Sequence, residues 1–178
     1  MDQLSFPMDF APVEGMARKP LANAGKPTRY WIGVASREHV ALGQAGGFCQ
    51  LCHGKAQPLK RMSVGDWIIY YSPKEVMDES TPCQKFTAIG RVVGAEVYSF
   101  EMFPGFVPFR RDIDFLQAAQ APIRPMLHKL SFIQDKSRWG YSFRFGHLEI
   151  PRHDFEIIAS AMLDYIPQGF LAYGMAPE

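Results

Sequence analysis

Ten consecutive residues, Gly46-Gly47-Phe48-Cys49-Gln50-Leu51-Cys52-His53-Gly54-Lys55, carry two thiols, an imidazole, an amide, an ammonium and an aromatic ring. Three chemistries are compatible with that set. Cys49-Gln50-Leu51-Cys52-His53 matches C-x-x-C-H, in which two thiols bind haem covalently and the histidine is an axial ligand. Cys49, Cys52 and His53 are equally three of the four ligands of a structural zinc site. In the plainest alternative the thiols are small, partly buried neighbours of a binding loop, whose glycines let the backbone approach a ligand closely. Haem attachment requires an oxidising compartment. Zinc requires a fourth ligand, for which Cys83 and His39 are available, but no second C-x-x-C occurs. A Cys52–His53 nucleophile–base pair is disfavoured, because such dyads come from distant parts of a chain.

Other catalytic patterns are missing. The chain holds no P-loop, no G-x-G-x-x-G after a strand, no H-E-x-x-H and no G-x-S-x-G. Paired carboxylates are scarce around the loop. What remains is recognition chemistry: aromatic faces, amide and imidazole edges, backbone amides and cations. We therefore expect a non-enzymatic protein with no cofactor.

The elements that must position this loop follow from the pattern on either side. A chain of 178 residues is long enough for one domain with a sizeable core. Its 14 Phe, 7 Tyr and 3 Trp favour a strand-rich fold. Residues 1–27, broken by Pro7, Pro12, Pro20 and Pro27, read as a flexible extension, within which Met16 is an alternative start. Tyr30 to Ala35 is a strand, and Ser36 is placed to cap a helix beginning at Arg37. Trp67 to Ser72, apolar on both faces, is a central strand ended by Pro73. A polar loop over 75–84 precedes a long strand, or two, from Phe86 to Tyr98, with Gly90 and Gly94 as bulge or bend positions. Phe106 to Phe115 reads as an edge strand because of Pro108. Pro122 and Pro125 bracket a short helical turn through Met126, Leu127 and Leu130, and a strand over Trp139 to Phe145 follows. The last helix carries Phe155, Ile158, Ala159 and Met162 at helical spacing. Residues 167–178 are a tail.

The net charge of +1 neither demands nor excludes nucleic acid. The distribution is uneven, however: from Arg124 to Arg144 the only acid is Asp135, against Arg124, Lys129, Lys136, Arg138 and Arg144. This is a candidate anion-facing strip or a solvated face. Three cysteines without disulfide spacing, no signal-peptide pattern and no membrane-span run point to the cytoplasm and away from membranes.

Tyr30 to Ser36, the Gly46 to Lys55 loop, Gly65 to Lys74 and the Trp139-Gly140 region, in that order, resemble the EVE domain family of the PUA-like superfamily, which is related to YTH domains. The resemblance covers roughly residues 29–163. It implies an α+β fold, a PUA-like curled mixed β-barrel with flanking helices in a single domain over 28–166. It also implies binding of a modified base in DNA or RNA, with 5-methylcytosine among the candidates, flipped into an aromatic and polar pocket. Carried onto this chain, the pocket is lined by Ser36, Gly47, Phe48, Gln50, His53, Tyr71, Ser72 and Trp139. Phe48 or Trp139 would stack on the base; Ser36, Gln50 and His53 would hydrogen-bond to it; Lys55, Lys74 and Arg138 would meet phosphate. The loop offers Phe48 where a methyl-amine cage would need Trp, so N6-methyladenine is not implied. A sensor of free nucleobases or nucleotides is the alternative use of the same pocket.

Overall fold

A computed structural model of the chain describes residues 25–165. Most of the expected extension, up to residue 24, and the expected tail lie outside the described residues. Tyr30–Val34 form β1. Ser36 ends it: the hydroxyl accepts a hydrogen bond from the His39 backbone N–H at 3.4 Å and caps α1, Arg37–Gly46. Such a cap contributes about 1 kcal/mol. Gly47 closes the helix at φ 69°, a conformation that glycine adopts without a Cβ clash. Then follow β2 (Phe48–Cys49), a tight turn over Cys52–Gly54, α2 (Ala56–Arg61), β3 (Trp67–Lys74), β4 (Pro82–Val92), β5 (Tyr98–Ser99), β6 (Phe109–Phe115) and β7 (Ala121–Pro122). Two 3-10 segments, Arg124–Met126 and Lys136–Phe143, lead into β8 (His147–Ile150) and α3 (Arg152–Met162).

The strands form one curled, mixed sheet in the order β2-β6-β4-β3-β1-β8, with β5 added to β6 and β7 to β4. β1 and β3 run parallel, Tyr30 opposite Trp67; the other pairings are antiparallel. β3 is central, as its two apolar faces require. Ile68 and Tyr70 point into a core with Trp31, Val40, Leu51, Leu59 and Ala88 beneath the first two helices. Trp67, Ile69 and Tyr71 point into the opposite core with Ile32, Phe86, Phe143, Phe155 and Ile158, under α3 and the second 3-10 segment. Trp31 is fully buried, and its indole N–H donates to Asp66 at 2.9 Å. Asp66 also accepts from the backbone N–H groups of Arg29 and Ser63, so this buried carboxylate ties the start of β1 to the start of β3.

Several expectations are corrected. Trp139 to Phe145 is not a strand. Asp135 accepts from the N–H groups of Ser137 and Arg138, starting a 3-10 segment that sets Trp139 and Phe143 together against Tyr71. Packing of aromatics four apart overrides their β preference. The strand comes one turn later, at β8. Pro73 does not end β3, which continues to Lys74 through an irregularity. The loop expected over 75–84 ends earlier, because β4 begins at Pro82. Pro108 precedes β6 rather than marking an edge, and β6 lies between β2 and β4. The bulge expected at Gly90 falls instead at Thr87, between the Tyr70–Ala88 and Tyr71–Phe86 pairs, where Thr87 shares a 2.8 Å hydroxyl contact with Ser72. Gly90 serves close approach: an added Cβ would lie 2.8 Å from the Asp114 carbonyl oxygen.

Candidate functional site

The segment leaving β2 is held from behind by one phenol. The Tyr70 hydroxyl accepts from the Gln50 backbone N–H at 3.2 Å and donates to the Gln50 carbonyl at 3.1 Å. Gln50 has left the ladder by this point, so the phenol supplies what a neighbouring strand would otherwise give. The Gln50 side chain is thereby aimed at Arg110, whose Nε donates to Oε1 at 3.3 Å. Arginine only donates, so this contact leaves the amide nitrogen of Gln50 as a donor.

Arg110 is 7 % exposed and stacks between two rings, 3.7 Å from the centroid of Phe48 and 4.0 Å from that of Phe100. Phe48 is backed in turn by Gly46, where an added Cβ would meet the ring at 2.5 Å. No carboxylate pairs with Arg110 among the described residues. Burial weakens its hold on the proton, and its charge, after burial itself, pushes the neighbouring His39 down. The terminal nitrogens of Arg110 and Nε2 of Gln50 have no hydrogen-bond partner among the described residues. The result is a cluster of donors, one of them cationic, between aromatic faces. It suits an acceptor-rich, flat ligand.

Next comes a turn in which Cys52, His53 and Gly54 all have positive φ, at 48°, 59° and 81°. Two successive non-glycine residues in this region are strained, of order 1–3 kcal/mol each. The turn is held from both sides. The Cys52 thiol donates to the Phe145 carbonyl at 3.4 Å, beside Gly146, and Pro108 abuts the bare α-carbon of Gly54. The Gly146 carbonyl accepts from Val34, which joins this region to the carboxyl end of β1 and so to Ser36. Arg144 stacks on Tyr141 at 3.5 Å and on Phe145 at 4.4 Å.

The expected pocket residues fall into two groups. Phe48 and Gln50 gather around Arg110 at the end of β2, and exposed His53 and Lys55 follow on the turn. Ser36 caps the helix beside them, and Gly47 ends it. Tyr71 and Trp139 meet on the sheet face under α3, ring to edge at 6.3 Å, with Phe143 stacked on Tyr71 at 4.1 Å. Arg124 lies 5.6 Å from the Trp139 ring and is held by the Gln84 side chain at 3.0 Å. Ser72 is buried against Thr87, and Lys74 is exposed. The five cations of the basic strip are exposed, and besides Arg124 two of them are engaged: Lys136 donates to the Leu130 carbonyl at 2.5 Å, and Arg138 pairs with Asp135 at 2.9 Å.

Arg110 and Tyr70 were missed by sequence reasoning; His39 entered there only as an available zinc ligand and Arg144 only as one cation of the basic strip. The Phe109-Arg110-Arg111 run carried a faint signal, since in a strand one of two adjacent arginines must face away from the core side chosen by the other. Arg111 is that one; it braces the Leu59 and Met62 carbonyls at 2.9 and 2.7 Å.

The C-x-x-C-H residues diverge. Cys49 is fully buried, and burial pushes its thiol up to about 12. Cys52 faces Phe145, and among the described residues no three His, Cys, Asp or Glu side chains gather to hold a metal. No helix among the described residues is long and apolar enough to cross a membrane.

The fold defines the class: a single domain built on a curled, mixed half-barrel sheet with a few helices. The particular family is then direct. The EVE domain model matches residues 29–161, and the chain belongs to the EVE domain family. A UPF0310 protein of Bacillus licheniformis is 55 % identical over 128 residues, spanning 72 % of this chain and 87 % of that one. A UPF0310 protein of Mycobacterium avium is 53 % identical over 134 residues, with 75 % and 97 % covered. Among solved structures, the YTH domain of MmI1 aligns with a TM-score of 0.48 at 13 % identity, covering 75 % of this chain and 93 % of that one. A Pseudomonas syringae protein aligns with a TM-score of 0.49 at 15 % identity, covering 74 % and 97 %.

Proposed function

We propose that this protein is a non-enzymatic reader of a modified base in DNA or RNA, taking the base out of its stack at the Gln50–Arg110 cluster. The observation that carries the reading is Arg110: a buried guanidinium, stacked between Phe48 and Phe100, hydrogen-bonded to an amide and paired with no carboxylate among the described residues. Its terminal nitrogens have no carboxylate partner among the described residues and are open to a ligand, so an acceptor-rich group can take charge-assisted hydrogen bonds from them. Membership of the EVE family supports the same reading. Gln50 and Arg110 supply donors to the base edge; Phe48 and Phe100 supply apolar faces; Lys55 and His53 on the adjacent turn meet the backbone phosphates. The second aromatic cluster, at Tyr71 and Trp139, braces the opposite core in this reading.

The test is a binding panel of oligonucleotides, DNA and RNA, carrying cytosine, 5-methylcytosine, 5-hydroxymethylcytosine or N6-methyladenine, at fixed salt. Selective binding that Gln50→Leu abolishes supports the reading. Equal binding of free modified nucleosides would favour a small-molecule sensor. No binding to any member at low salt, where phosphate contacts are strongest, would end the proposal.

A further inference from the structure

Resting on that reading, we infer that the ligand is a single strand rather than a duplex or a free nucleoside, and that Tyr141, Arg144 and Phe145 hold the nucleotide flanking the extruded base. Three observations support this. First, Tyr141 and Phe145 are 59 % and 67 % exposed, among the most exposed large hydrophobic side chains of the described residues. Exposed rings of this size held around a cation are stacking surfaces for flat partners. Second, Arg144 lies against both rings, and no carboxylate pairs with it among the described residues. Its construction repeats that of Arg110 between Phe48 and Phe100.

Third, the two clusters flank one turn. Cys52–Gly54 touches the Arg144 side through the Cys52–Phe145 hydrogen bond and the Arg110 side through the Gly54–Pro108 contact. His53, exposed, lies on the turn between them. A chain crossing the turn meets an aromatic–guanidinium cluster at each end. Successive bases of a single strand present both π-faces and phosphates to such clusters, whereas duplex bases hide their faces in the stack. A free nucleoside reaches the Arg110 cluster alone.

The test uses the full chain and fluorescein-labelled single strands of about ten nucleotides, in DNA and RNA, with matching duplexes and free nucleosides as comparators. The variants are Arg144→Ala, Arg144→Lys and the double change Tyr141→Ala with Phe145→Ala; all three positions are exposed, and circular dichroism checks the fold. We expect single strands to bind tighter than duplexes. Each alanine variant should weaken strand binding about fivefold to a hundredfold and leave nucleoside binding unchanged. Arg144→Lys, which keeps the charge and loses the flat stack, should fall between. Strand binding untouched by the alanine variants, or strands binding no tighter than nucleosides, overturns this inference and leaves the base-reading site standing. Absence of binding by both strands and nucleosides overturns the base-reading site itself, and this inference with it.

Discussion

The Tyr70 hydroxyl satisfies both backbone polar groups of Gln50, one as acceptor and one as donor, across twenty residues of sequence. That pair of hydrogen bonds fixes the backbone that carries the amide facing Arg110. Tyr70 lies in the core, and burial holds its phenol well above the ordinary tyrosine range, so it stays a donor at any physiological pH.

Removing that hydroxyl leaves two buried backbone groups unsatisfied. Tyr70→Phe is therefore expected to cost about 2–3 kcal/mol in stability, read from denaturant unfolding. It should also weaken oligonucleotide binding by more than the stability loss explains, because Gln50 is no longer aimed. A fully folded variant with unchanged stability would show that the phenol is incidental.

Gln50→Glu tests the unpaired charge. A carboxylate 3.3 Å from Arg110 neutralises it and replaces an amide donor by an acceptor. Stability should hold within about 1 kcal/mol, since the new charge arrives with its partner. Binding of acceptor-rich ligands should fall about tenfold or more. Retained affinity would place the ligand elsewhere.

His147 is a buried imidazole stacked on Trp31 at 4.7 Å, and neither ring nitrogen has a hydrogen-bond partner among the described residues. Burial first, then the charges of Arg61 and Arg29, bring its pKa down to about 4, with Glu149 opposing. The native state thus binds fewer protons than the unfolded state between about pH 4 and 6.5, so stability rises with pH across that window. Acidification from 6.5 to 4 should remove roughly 3 kcal/mol through this group. His147→Phe keeps a flat ring on Trp31, should gain about 1–2 kcal/mol by removing unsatisfied nitrogens, and should flatten the acid side of the stability–pH curve. An unchanged curve would reject this assignment.

Thiol reactivity checks the C-x-x-C-H residues. With Cys49 fully buried and its pKa near 12, iodoacetamide at neutral pH should leave it unmodified in the native protein and label it only after unfolding. Cys52 is half-buried, with its thiol also raised by burial, and should react slowly but first. Rapid native labelling at Cys49 would contradict the packing around β2.

The sequence alone determined the local terms. Ser36 as a helix cap, β1 and β3 as strands, β3 as central and the last helix with its apolar stripe all follow from side-chain type and spacing, because capping, alternation and amphipathicity are short-range effects. The loop at 46–55 was recognisable for the same reason, since its glycines and polar residues break every period. The EVE family was legible from the order of these blocks. Face and partnership were decided by the tertiary structure. Tyr70 and Tyr71 are adjacent and chemically alike, yet the sheet sends one to Gln50 and the other to Trp139 and Phe143. Nothing in sequence ranks them, because the direction of a strand side chain is set by register against its neighbours. Arg110 and Arg111 part in the same way, one into an aromatic clamp and the other onto backbone carbonyls. Trp139 to Phe145 looked like a strand by composition and became a 3-10 segment, because Trp139 and Phe143 had a shared ring to cover. Long-range packing outweighs propensities that differ by only about 1 kcal/mol, and so the site's charges were placed by contacts that no short window of sequence contains.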